Sequence, residues 1–139
     1  MQTDPELQQL SPVPEQLRLV FRQEGITVLL EKRDRLLHEG ESLNGIYLVE
    51  TGRIRVWLKG DDNRRALTRT VNSGHLLGLS ANFGQQLCNL NATAITSSRL
   101  SFISRKCLID FMKRQPADAL WIVQYLGQEL RETILKLGR

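Results

Sequence analysis

The sequence predicts a mainly β domain, a sandwich or barrel, flanked by a short helix on one side and two helices on the other. Three observations carry this expectation. Short apolar runs alternate with polar residues, turn signals separate them every eight to twelve residues, and the apolar period becomes helical at both ends. At 139 residues the chain can build one well-cored domain and is too short for two of ordinary size.

Residues 1–14 are polar and contain three prolines, which predicts a loose entry segment. Leu17, Val20 and Phe21 then stand at i, i+3 and i+4, the stripe of an amphipathic helix over 15–23 that Gly25 ends. From Ile26 the period is two: Ile26, Val28 and Leu30 alternate with Thr27, Leu29 and Glu31, and a short run over 36–38 leads to the turn Glu39-Gly40-Glu41. A strand over 46–49 is turned by Thr51-Gly52. The next, over 53–59, sets Ile54, Val56 and Leu58 on one face and Arg53, Arg55, Trp57 and Lys59 on a half-solvated one. A hairpin loop over 60–63 returns through a strand over 64–71, where Leu67, Arg69 and Val71 share a face. If that face is inward, Arg69 is a basic side chain aimed at the interior.

Segment 74–94 is rich in glycine and amides, free of acids and set between strands, which makes it a candidate ligand cradle. It lies within a longer acid-free run, Asn63 to Ile109, that holds Arg64, Arg65, Arg69, Arg99, Arg105 and Lys106. Such a run either creates a positive field that draws an anion or simply scatters solubilising charges over strand faces. Short strands over 92–97 and 99–103 complete the β region. Ser104 can cap a helix starting near Arg105, striped by Leu108, Ile109, Phe111 and Met112 up to Pro116. In the last helix Leu120, Val123, Gly127, Leu130, Ile134 and Leu137 alternate spacings of three and four, the seam of a coiled coil. The seam predicts a homodimer; the alternative is a helix packed on its own β domain. The expected division is thus a loose segment over 1–14, a β domain with flanking helices over 15–114, and a dimerisation helix over 115–139.

Several functions are disfavoured. No apolar run approaches the roughly 20 residues that span a bilayer, and the first ten residues lack a signal-peptide core, so a cytoplasmic protein without membrane contact is expected. Cys88 and Cys107 lack ligand spacing and read as buried or half-buried free thiols, with a redox role left open. His38 and His75 make no metal site, and His75 reads as a loop hydrogen-bonding residue. No nucleophile elbow, Ser/His/Asp set or Walker loop is present, and a metal-dependent jelly-roll enzyme would need a histidine cluster that is missing. The chain is therefore expected to be non-catalytic, with no metal or cofactor. Trp57 and Trp121 read as core or interface packing.

The order of elements, with Asn44-Gly45-Ile46-Tyr47-Leu48-Val49-Glu50-Thr51-Gly52-Arg53-Ile54-Arg55-Val56 followed by Gly74-His75-Leu76-Leu77-Gly78 and two helices, resembles the effector domain of the cAMP receptor protein (Crp/Fnr) family. The resemblance implies a β jelly roll of the cyclic-nucleotide-binding type, with a phosphate-binding cassette in segment 74–94. It marks Gly78, Leu79, Ser80, Ala81, Cys88 and Asn89 as pocket candidates. Family members that bind cyclic nucleotides carry Phe-Gly-Glu-Leu/Ile-Ala-Leu-Leu and then Pro-Arg-Ala/Ser-Ala. Laid here without a gap, their Gly falls on Gly78, their Glu on Leu79, their Pro on Leu87, their Arg on Cys88 and their Ala/Ser on Asn89.

Leu79 offers no acceptor to a ribose hydroxyl, and a thiol at Cys88 cannot neutralise a phosphate. The expectation is a sensory domain whose diverged pocket does not take cAMP by the usual contacts, with Arg69 as a possible anion contact and an unknown small molecule as effector. A ligand-free dimerisation or interaction scaffold is the alternative. The family's helix-turn-helix has no counterpart before Arg139, so DNA contact is expected only through a domain outside this sequence.

Overall fold

A computed structural model describes residues 12–59, 65–83 and 90–137. Helix α1 (Glu15–Glu24) follows Pro14, buries Leu17, Val20 and Phe21, and ends where the Gly25 N–H donates to the Phe21 carbonyl at 2.9 Å. Then come β1 (Ile26–Leu30), β2 (Arg35–Leu37), β3 (Gly45–Thr51), β4 (Arg53–Lys59), β5 (Arg65–Asn72), β6 (Leu76–Leu77), a 3-10 turn (Ser80–Asn82), β7 (Asn91–Ala94) and β8 (Ser98–Ser104). They form two four-stranded antiparallel sheets, ordered β1-β8-β3-β6 and β2-β7-β4-β5. The two sheets make the β jelly roll that the sequence leads one to expect.

The first sheet is covered on both faces, which is why 46–49 reads as an unbroken apolar run rather than an alternation. Ile46, Leu48, Leu76 and Ile103 face the helices, joining Leu17, Phe21, Leu108, Phe111, Ile122 and Tyr125. Val49, Leu77 and Leu100 face the second sheet, packing with Leu37, Ile54, Val56 and Val71. The β1 alternation holds for Val28, Leu29 and Leu30 and fails at Ile26. Ile26 and Leu29 are among the most exposed apolar residues, because β1 is an edge strand, and only Val28 and Leu30 pack on the inter-sheet core.

Trp57 lies on the Arg55 face, as parity puts it, yet is buried, in keeping with a packing role. The Arg35 guanidinium lies 5.4 Å from the indole centroid and covers the ring. The expected entry segment over 1–14 and the hairpin loop over 60–63 lie wholly or largely outside the described residues.

Helix α2 (Arg105–Arg114) starts at Ser104, whose Oγ accepts from the Cys107 N–H at 3.1 Å. Helix α3 (Pro116–Leu137) begins on proline, tolerated there because a first-turn N–H has no intrahelical partner. One face of this helix packs on its own domain, and the face of the expected seam is exposed. Ile122 and Tyr125 are buried against the roll and α2, while Leu120, Val123, Leu130 and Ile134 are 57–61% exposed beside exposed Gly127. The Leu137 side chain is outside the described residues. Among the described residues no helix is long and apolar enough to cross a membrane.

Candidate ligand pocket

The inner face of the β4–β5 hairpin and helix α3 border a half-open cavity of about 380 Å³. Val56, Leu58 and Arg69 line it from the roll, Ser80 and Leu90 from the 3-10 turn and the start of the next strand, and Leu126, Glu129, Leu130, Glu132 and Thr133 from the helix. Its volume lies in the range of small-molecule sites, roughly 300–1,000 Å³.

Arg69 is inward, as parity with Val71 predicts, and Val56 is its cross-strand neighbour. Its Nη2 donates to Glu129 Oε2 at 2.6 Å, and both side chains are only 15% exposed. Its Nη1 is buried without an acceptor among the described residues. Burial lowers the guanidinium pKa, but Glu129, Tyr125 and Glu132 more than offset that, leaving it above its ordinary value. Burial raises the Glu129 carboxyl above the usual range, and Arg69 only partly restores it. Buried Glu132 adds a second carboxyl to the same wall. Among the described residues, α3 thus brings the carboxyl groups of Glu129 and Glu132 to the wall that Arg69 faces.

The cassette candidates divide. Gly78 adopts φ +87°, and a Cβ there would stand 2.6 Å from Leu43 Cδ2, so this turn needs glycine. Leu79 belongs to the helix-side core, Ala81 is half-buried, and Ser80 is the candidate that lines the cavity. Cys88 and Asn89 lie outside the described residues.

Two residues that sequence reasoning passed over hold the segment. Asn82 Nδ2 donates to the Gly45 and Gly78 carbonyls at 2.9 Å each, while its main-chain carbonyl accepts from Arg105 Nε at 2.9 Å. The Tyr125 hydroxyl accepts from the Leu76 N–H at 3.0 Å and donates to the Leu76 carbonyl at 3.2 Å, tying α3 to β6. Burial raises the phenol pKa well above its ordinary value.

His75 makes its loop contacts through the backbone: its N–H donates to the Asn72 carbonyl and its carbonyl accepts from the Val49 N–H. Burial, then the charge of Arg69, lowers its imidazole pKa. Cys107 is a half-buried free thiol whose pKa burial and Glu24 raise. No group of three or more metal-ligating side chains occurs among the described residues.

Residues 27–115 match the sequence model of a family described as the cyclic nucleotide-binding domain. No curated protein sequence matches the chain. Among solved structures, the catabolite activator protein of Thermus thermophilus is 21% identical at a TM-score of 0.78, covering 97% of this chain, which spans 62% of that protein. The N-terminal domain of a transcriptional regulator from Streptomyces coelicolor is 22% identical at 0.68, with 94% and 95% covered. The sensor domain of the transcriptional regulator DNR from Pseudomonas aeruginosa is 19% identical at 0.71, with 94% and 86% covered. At these identities the likeness is one of fold.

Proposed function

The chain belongs to the cyclic-nucleotide-binding domain family, and from that premise we propose that it is the non-catalytic sensory domain of a Crp/Fnr-like transcriptional regulator. It acts in the cytoplasm as a homodimer, takes a small effector between the roll and α3, and contacts DNA only through a domain outside this sequence. One observation carries the reading: α3 is at once a wall of the cavity, through Leu126, Glu129 and Thr133, and the bearer of an exposed apolar seam at Val123, Leu130 and Ile134. A molecule that binds one setting of the helix better than another shifts the seam with it. Cyclic AMP held by the family's usual contacts does not fit this reading, since Leu79 is spent in the core and Glu129 occupies the cavity's guanidinium.

The test is hydrogen exchange and thermal melting of the chain against a panel of cyclic nucleotides and uncharged metabolites. An effector should raise the melting temperature and change amide protection along α3. Stabilisation with no change in α3, or none with any compound, would defeat the sensor reading.

A further inference from the structure

Apart from the cavity under α3, we infer that the outer face of the second sheet holds a further binding site, for a compact phosphate-type polyanion of the size of a diphosphate. The site is a half-open groove of about 500 Å³ lined by Lys32, Arg33, Arg35, Arg55, Trp57 and Thr93. Arg55 and Trp57 reach it from β4 on the side opposite Val56, so the strand separates the groove from the cavity. Neither Arg69 nor α3 takes part, and failure of either site leaves the other standing.

Arg35 is fixed in place from several sides. Its guanidinium lies 5.4 Å from the Trp57 ring centroid, its Nε donates to the Leu37 carbonyl at 3.3 Å, and its Nη2 donates to Asn91 Oδ1. Buried Asn91 is held in turn by Glu39, accepting its N–H at 3.1 Å and donating to its Oε1 at 3.0 Å. The Glu39 carboxylate thus anchors the amide, and Nη1 of Arg35 is left without an acceptor among the described residues. Among the described residues Lys32, Arg33 and Arg55 likewise form no ion pair and donate no side-chain hydrogen bond. Asp34, in the same turn as Lys32 and Arg33, spends Oδ2 on the Glu31 N–H at 2.8 Å, and neither acid is among the described lining residues.

The backbone at Arg33 points the same way. It is the non-glycine residue with a positive φ, +78°, among the described residues, a conformation that glycine takes without strain. Its N–H donates to the Ala94 carbonyl at 2.8 Å and the Ala94 N–H donates to the Asp34 carbonyl at 2.9 Å. The turn is therefore clamped to β7 with an arginine where the backbone alone asks for glycine.

These donors converge from the turn before β2, from β2 itself and from β4. A planar carboxylate meets a guanidinium edge on, whereas tetrahedral phosphate oxygens accept from several directions at once, and a diphosphate spreads several negative charges among them. What selects the anion is a set of unpaired donors already held in place, not the sum of charges around the groove.

Pyrophosphate is titrated into the 139-residue chain at about 0.15 M salt and followed by NMR, beside orthophosphate, citrate and a short random-sequence DNA duplex. Saturable shifts should be confined to Lys32, Arg33, Arg35, Arg55, Thr93 and the Trp57 indole, with pyrophosphate bound at least about tenfold more tightly than orthophosphate or citrate. Arg33→Gly suits the backbone it occupies, so it should fold as stably as the wild type while weakening pyrophosphate at least about fivefold. Arg55→Gln should weaken it comparably, and Arg99→Gln, which removes an exposed charge from the other sheet, should leave it unchanged.

Shifts scattered over the chain, equal losses from Arg33→Gly and Arg99→Gln, citrate bound as tightly as pyrophosphate, or no binding at all would each overturn the inference. A duplex that engages these residues more tightly than pyrophosphate overturns it as well and assigns the groove to nucleic acid.

Discussion

Replacing Arg69 by methionine keeps an unbranched side chain but leaves Glu129 buried without its cation. Breaking a buried ion pair by removing one partner typically costs about 3–5 kcal/mol. Here a carboxyl has an escape, because it can take a proton. Holding it neutral costs about 1.4 kcal/mol for each pH unit above the ordinary value of 4.5, which sets a ceiling of about 3 kcal/mol at pH 7 and about 0.7 kcal/mol at pH 5. The sign follows from a folded pKa raised above the unfolded one. Stability from the protonated carboxyl is fully present below the unfolded value and is lost as pH rises through the folded value. Arg69→Met should therefore cost about 3 kcal/mol near pH 7 and less than about 1 kcal/mol near pH 5.

The assay is urea unfolding by circular dichroism at both pH values and one protein concentration, with an unchanged m-value as the check that stability alone has altered. Adding Glu129→Leu to Arg69→Met should recover most of the loss at pH 7, since a buried pair replaced by apolar residues is often neutral or better. A loss of equal size at both pH values, or a double variant no more stable than the single one, would refute the electrostatic account of this wall.

Other consequences are simpler to read. Tyr125→Phe removes the hydroxyl that satisfies both backbone groups of Leu76 and should cost about 1–3 kcal/mol in the same assay, with faster exchange of the Leu76 amide. Gly78→Ala combines φ +87° with a clash on Leu43 and should destabilise more than Gly74→Ala, where φ is +90° but the space is open and the cost about 1–2 kcal/mol. His75, with its pKa depressed, contributes stability above about pH 6.5 that fades as pH falls through its lower folded value; His75→Gln should flatten the acid side of the stability profile. Val123→Asp with Leu130→Lys should give a monomer by sedimentation at concentrations where the wild type is a dimer, and a wild type already monomeric would remove the seam from the account.

The β roll was legible because its signals are local. Glycine turns, alternating runs and the Ser104 cap each act over a few residues, so the strand over 53–59 and the helix from Arg105 fall where the pattern puts them, while the strand expected over 46–49 extends to Gly45–Thr51. The inward aim of Arg69 was legible too, from two-residue parity with Val71. What parity cannot see is whether a second element covers the face it defines. The Arg35 side chain covers Trp57 on its outward face, and the edge position of β1 left Ile26 uncovered. Leu79 is the converse case: a sequence match gave it a pocket position, but an apolar side chain next to the helices gains more from the core.

The partner of Arg69 lies sixty residues away on another element, and no local rule links the two. Even so, α3 carries a second stripe behind its seam. Ile122, Tyr125, Leu126 and Glu129 stand at i, i+3, i+4 and i+7, and Glu132 extends the same side. An apolar stripe that ends in glutamates places carboxyl groups on the packed face of a helix, where they stay ionised only beside a cation. By strand parity the β region offers Arg69 as an inward base. Each half of the ion pair was thus written in the sequence as an anomaly, a basic residue on a buried strand face and an acid on a buried helix face. Either one alone leaves its partner open; together they specify each other, and with it which wall of the roll the helix covers.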